Sequence, residues 1–361
     1  MKFVIVFLAV LMLAVPALAQ ENTSAVPEAY RLELTNLRHI YQSWNNCGPA
    51  TLTMGLSYFG YPADSMAAQV PAADYLKPNR DDGNVSFWQM QDYVNKFMQP
   101  ELGIQAVARR GGNLDLIKTL LANNFPVIIG KGLNVDGEGW VGHFVLAIGY
   151  DDVDQSLLVY DSYEGHGNLQ GLKMSYDSLL PLWQQFNNVF LLMYPAEREA
   201  EAQSILGDLW EEQAAWEQAR IVAEANTAAD PQDAWAWFNL GEALTFLGDY
   251  EGAVTAYDRA YNYAEVRERL PFRVQWYMHG IFQANYQVGN YEKVLRLAMD
   301  VQGFTPFIED MNYYRGLVLA AQGDTEGALA KFDEVLTFNP NYYPAVTAKE
   351  SVLAGTFAAP Q

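Results

Sequence analysis

One cysteine and four histidines are the residues of this 361-residue chain best suited to nucleophilic chemistry. The cysteine, Cys47, stands in YQSWNNCGPA, between two asparagines and Gly48-Pro49. A thiol attacks as a thiolate, and a helix N-terminus or a neighbouring imidazolium favours that charge. The residues after Cys47 predict such a helix. Leu52, Leu56 and Phe59 recur at the spacing of one helical face, and Pro49 suits a first turn. Gly60-Tyr61-Pro62 then reads as a stop. An unpaired cysteine in an exported chain is otherwise a dimer bridge or an inert buried residue. A catalytic thiol further requires a base, a group that orients the base, and donors for an oxyanion.

The histidines differ in their surroundings. His39 lies in a polar stretch, His279 in the C-terminal half, and His166 in the glycine-rich EGHGN. His143 opens the apolar run HFVLAIGY, and Asp161 closes the run SLLVYD. The DDVDQ turn between these runs predicts an antiparallel hairpin, which would bring His143 and Asp161 together. His166 is a reserve base without rigid support. The segment GKGLNVDGEGWVGH reads as a flexible loop, either a plain surface loop or a cleft wall in which Trp140 shields the thiolate. Asp151, Asp152 and Asp154 do not match an EF-hand spacing and read as a solvated turn. No Cys/His cluster suits zinc, so neither metal nor cofactor is expected.

The order Gln42, Cys47-Gly48-Pro49-Ala50, Gly142-His143-Phe144 and Asp161 resembles the C39-like cysteine peptidases of the papain-like superfamily. The resemblance covers about residues 38–195. It implies that Cys47 is the nucleophile, His143 the general base and acid, and Asp161 its orienter. Gln42 would donate to the oxyanion together with the Cys47 amide. The family includes processors of double-glycine leader peptides fused to transporters. No transporter is present here, so that substrate is not implied.

Around these residues the chain changes grammar. Helical patterns near 47–60, 86–98 and 114–123 precede the β-rich runs FPVIIG, HFVLAIGY, SLLVYD and NVFLLMYP. The expectation is an α+β papain-like domain over 30–196, a helix packed on an antiparallel sheet. From 197 to 361 the sequence is helical and repetitive. AWAWFNLGEALTFLGDYEGAVTAYDRAY and MNYYRGLVLAAQGDTEGALAKFDEVLTFNP carry the small and large residues of tetratricopeptide repeats. Looser copies flank them, giving about four repeats and a capping helix in an all-α solenoid. An insertion is expected near EVRERLPF, and the concave surface would dock a protein partner or substrate.

Residues 1–19 have the basic start, apolar run and small-residue end of a signal peptide, so the mature chain is expected outside the cytoplasm. The net charge is −21, with both halves acidic, which disfavours nucleic acid and anionic lipid surfaces. After signal cleavage no membrane association is expected. Together these readings give a secreted cysteine peptidase or amidohydrolase. The alternatives are an acyl transferase resembling phytochelatin synthases and a catalytically silent binding scaffold.

Overall fold

The structure is a computed structural model and describes residues 26–165 and 170–360. The proposed signal segment and His166 lie outside the described residues.

Seven strands form one antiparallel sheet in the order β2-β7-β3-β4-β5-β6, with β1 paired to β4. They are β1 (Ala29–Arg31), β2 (Ile104–Arg109), β3 (Val127–Val135), β4 (Gly139–Asp151), β5 (Ser156–Asp161), β6 (Leu172–Ser175) and β7 (Phe190–Pro195). The centre of the sheet is a continuous apolar surface, with Val127–Ile129, Val145–Ile148 and Phe190–Met193 all sealed from solvent. Apolar runs without polar alternation build strands buried on both faces.

Helix α1 (Cys47–Ser57) lies across this surface. Every residue from Gly48 to Ser57 is buried, so the helix is enclosed on all sides rather than amphipathic as the periodicity predicted. Its small residues allow the close fit. A Cβ on Gly55 would stand 2.1 Å from the Met193 side chain and 3.3 Å from Leu146. Two shorter helices, α2 (Val70–Leu76) and α3 (Phe87–Tyr93), follow. Ser86 and Gln89 form a reciprocal capping box at the start of α3, and a π-helical turn over Val94–Met98 continues it.

The segment read as a flexible loop is instead a paired ribbon. Residues 131–135 of β3 pair with 139–143 of β4, and Lys131 stands opposite His143. Gly130, Gly132 and Gly142 hid this strand signal, because glycine weakens a strand pattern. Each is needed for fit: a Cβ on Gly132 would meet the Gln185 side chain at 2.0 Å.

Beyond β7 the chain is helical. The helix Glu199–Leu206 sends Ala202 and Leu206 into the core of the sheet domain. The first helix of the repeat stack is therefore Glu212–Ala229. Three helix pairs follow: Ala234–Leu247 with Tyr250–Ala260, Gly280–Gln287 with Tyr291–Phe304, and Glu309–Ala321 with Thr325–Phe338. Tyr343–Leu353 packs against the last pair. The tight helix crossings rest on small residues: Gly241 lies against the Tyr257 ring and Gly316 against Phe332. The expected insertion falls between Ala260 and Gly280 and contains the short helix Val274–Tyr277.

Candidate functional site

Cys47 opens α1, whose first turn carries no acidic residue to oppose a thiolate. The preceding loop is fixed from both sides. The Gln69 carboxamide accepts from the Ser43 amide at 3.0 Å and from Asn46 Nδ2 at 2.7 Å, and it donates to the Tyr41 carbonyl at 2.9 Å. On the other side the Gln42 amide donates to the Ser162 carbonyl at 3.1 Å, and Ser162 Oγ donates to Gln42 Oε1 at 2.9 Å. That bond commits the oxygen of the Gln42 carboxamide and leaves its nitrogen available. Among the described residues no acceptor takes Gln42 Nε2 or the Cys47 amide.

The predicted hairpin is β4–β5, with Val145 opposite Asp161. His143, two residues before Val145, shares its face. His143 Nε2 lies 2.8 Å from Asp161 Oδ1, and both side chains are sealed from solvent. The same carboxylate oxygen accepts from the amides of Tyr163 at 2.8 Å and Glu164 at 2.9 Å. His39 Nε2 braces the strand end at 2.7 Å from the Asp161 carbonyl. With Nε2 committed to Asp161, Nδ1 is the ring nitrogen left for Cys47.

The electrostatics form one coupled set. Burial pushes the Cys47 thiol up, but the hydrogen bond and charge of His143, then the charge of Lys77, bring it below its ordinary value. Burial disfavours the His143 cation, yet the Asp161 hydrogen bond and charge, helped by Cys47, raise its pKa to about 9. Burial raises the Asp161 carboxyl; the hydrogen bond and charge of His143, with two backbone amides, lower it to about 2. Each of the three groups thus favours the charged form of its neighbour: the carboxylate the imidazolium, and the imidazolium the thiolate.

Three residues escaped the sequence reading. Lys77, 1% exposed, lies near enough to Cys47 to lower its pKa. Tyr277 and Trp276 come from the insertion in the repeats. A Cβ on Gly142 would meet the Tyr277 ring at 3.1 Å, and one on Gly83 would meet Trp276 at 3.3 Å. The Tyr277 hydroxyl is pushed up by burial and then by the Cys47 charge. No local pattern marks these residues, because each reaches the site through tertiary packing.

The repeats close over this part of the sheet domain. Trp140 stacks on Phe186 at 5.8 Å and packs against Trp235 and Tyr277, while its Nε1 donates to Gln185 at 2.8 Å. It is buried in the contact between the two domains rather than part of a loose wall. Further along, Asn239 donates to the Gln184 carbonyl, Asn339 to the Leu76 carbonyl, and Lys96 to the Tyr343 hydroxyl. One face of the repeats thus lies against the chain's own sheet domain. A cavity of about 320 Å³ remains between them, lined on one side by His143 and Phe144 and on the other by Tyr277, Tyr314, Glu242 and Asp310.

The acidic turn after β4 has its own partners. Lys118 Nζ contacts Asp152 at 2.9 Å, Asp151 caps the amides of Val153 and Asp154, and Lys173 pairs with Asp154. Among the described residues no group of three or more His, Cys, Asp or Glu is arranged for a metal.

Comparison with known proteins matches residues 213–268 and 288–343 to tetratricopeptide repeats. No curated protein matches the chain. Among solved structures, a C39-like peptidase from Bacillus anthracis is 18% identical, covering 45% of this chain and 97% of its own, with a TM-score of 0.34. MamA is 13% identical, covering 44% of this chain and 82% of its own, with a TM-score of 0.32. The description Peptidase_C39 like family matches residues 12–194, which include Gln42, Cys47, His143 and Asp161, and the chain belongs to that family.

Proposed function

We propose that this chain is a cysteine hydrolase acting on peptide bonds, with Cys47 as nucleophile. The supporting observation is the buried His143–Asp161 bond of 2.8 Å beside a thiol whose pKa His143 lowers. The Cys47 thiolate attacks the scissile carbonyl carbon, and the charge moving onto oxygen is received by the Cys47 amide and Gln42 Nε2. The carbon–nitrogen bond then breaks as His143 passes its proton to the leaving amine. In the second half His143 takes a proton from water, the hydroxide attacks the thioester, and the carboxylic product departs. Asp161 keeps the imidazole in the useful orientation and stabilises its cation throughout.

The repeats form one wall of the substrate cleft, because Tyr277 and Tyr314 face His143 and Phe144 across the interdomain cavity. Residues 1–19 direct export, and the mature chain begins at Gln20. N-terminal sequencing of secreted protein tests that point; an intact Met1 start would contradict it.

The function itself is tested by incubating the full chain with a mixed peptide library and reading the products by mass spectrometry. Cleavage that disappears in Cys47→Ala supports the assignment. Cleavage that survives the substitution contradicts it. Transfer of the acyl group to an added amine, with no hydrolysis, would make the protein a transferase.

A further inference from the structure

Lys77 ends α2 with its side chain buried, and a buried ammonium is costly unless its donors are satisfied. Main-chain carbonyls hold it. Nζ donates to the Asn45 oxygen at 2.7 Å and to the Asp82 oxygen at 2.5 Å. Asn45 also donates from Nδ2 to that same Asp82 oxygen at 2.7 Å. One cation therefore ties two loops, 41–46 and 79–84, at a position two residues before the nucleophile.

The tie has a conformational consequence. Asn45 has φ of 52°, in the left-handed region that side chains seldom adopt. Its carbonyl is held there by Lys77 and its side chain by Asp82. The next peptides lead directly into the Cys47 amide, so the direction of that donor depends on the Asn45 anchor.

The repeats complete the arrangement. The Asp82 carboxyl is hydrogen-bonded to Glu309, at the start of the repeat helix Glu309–Ala321. Burial raises Asp82 to about 6 and, with the Asp82 charge, raises Glu309 well above its ordinary value. Asn339 Nδ2 donates to Glu309 Oε1 at 2.9 Å. The loop that receives Lys77 is thus fastened to the repeat domain.

We propose that Lys77 is a positioning and electrostatic residue of the catalytic centre, fixing the Asn45 carbonyl and supplying a positive charge beside Cys47. This rests on the reading of Cys47 as the nucleophile. Burial lowers the Lys77 pKa, and the charges of Asp82 and then Cys47 oppose that shift. The charge favours the Cys47 thiolate before attack and the negative charge of the tetrahedral intermediate after it. The other charged or titratable groups around Lys77 and Cys47 are His143 on β4, Arg80 and Asp82 in the adjoining loop, Glu309 and Asp310 on the repeat helix, and Tyr277. Of these only Lys77 both contacts the nucleophile loop and carries a positive charge that the reaction does not consume.

The test is the pH dependence of Cys47 alkylation by iodoacetamide in the full chain. Lys77→Met, which removes the charge, should move the midpoint upward by about one pH unit. Lys77→Gln keeps a donor for the two carbonyls and should show the same shift, so it decides the matter if the methionine variant fails to fold. Lys77→Arg keeps the charge and should hold the midpoint within about 0.3 unit of wild type. Slower alkylation at every pH with an unmoved midpoint in the uncharged variants would overturn the proposal, leaving Lys77 a structural residue. If wild-type Cys47 itself titrates in the ordinary thiol range, the catalytic reading falls instead, and the role of Lys77 with it.

Discussion

Among the described residues two histidine–aspartate pairs stand out, one sealed from solvent and one partly buried, and they differ in what surrounds them. His143 and Asp161 lie 2.8 Å apart on adjacent strands of the sheet domain. His279 and Asp310 lie 3.1 Å apart in the repeats. Burial opposes both imidazolium ions, and in both the aspartate overcomes it and raises the histidine. The first pair presents its remaining ring nitrogen to a thiol at a helix start. In the second, Nε2 of His279 is buried with no hydrogen-bond partner among the described residues. Tyr342 donates to Asp310, and the neighbouring Glu242 accepts from Tyr257 and the Gly280 amide. The second pair is a piece of domain packing. The first differs in having a thiol hydrogen-bonded to its histidine. A polarised histidine is therefore not by itself a site.

The sharpest way to break this comparison is at the nucleophile. Cys47→Ala should reduce peptide turnover by about 10⁴-fold or more while leaving the melting temperature nearly unchanged. Comparable residual turnover would make the first pair as inert as the second. Asp161→Asn should slow turnover by at least about 100-fold, since it disturbs the imidazole's orientation and charge. Gln42→Ala should slow acylation by about 100-fold while Cys47 still reacts with iodoacetamide. Loss of that alkylation would show that Gln42 shapes the loop rather than serving the oxyanion.

The repeat pair should respond in stability. His279→Gln leaves Asp310 a poorly compensated, mostly buried charge and should cost about 3 kcal/mol in thermal or urea unfolding. Its effect on the pH profile of Cys47 alkylation should be absent; a shifted midpoint would join the two pairs into one system. The pH dependence of stability separates them further. His143 is raised from 6.5 to about 9, so its contribution is complete below about pH 6.5 and lost as pH rises through about 9. Asp161 is depressed to about 2, so its contribution is present above about pH 4 and lost as pH falls through about 2. The melting temperature should fall between about pH 6.5 and 9, and His143→Gln should flatten that slope. The smallest effect belongs to Arg273, which pairs with Glu138 at 3.1 Å near the protein surface. Arg273→Ala should cost about 0.5 kcal/mol, as half-exposed ion pairs do.

What could be read from the sequence was local. Pro49 and the glycine stop marked α1, and the DDVDQ turn delivered His143 to Asp161 because a hairpin constrains its own strand ends. The positive φ of Gly248, Gly289 and Gly323 explains the turn glycines that revealed the repeats. The rest depended on contacts across long sequence separations. Lys77 looked like any surface lysine until the loops around Asn45 and Asp82 folded over it. Glycines in the 131–142 ribbon concealed two strand ends, since a residue with no side chain carries no alternation. The docking of the repeats on the sheet domain was equally hidden, for Tyr277, Trp276 and Glu309 act through surfaces that no single segment encodes.

The central claim is that Cys47 carries the acyl group of a peptide substrate as a thioester. Acid quenching of the full chain during turnover, followed by mass spectrometry of the Cys47-containing peptide, measures it directly. The account predicts a mass increase on Cys47 equal to the acyl half of the cleaved peptide, removed by hydroxylamine and stronger when deacylation is slowed. Peptide cleavage with an unmodified Cys47, or an acyl group carried by another residue, would contradict it.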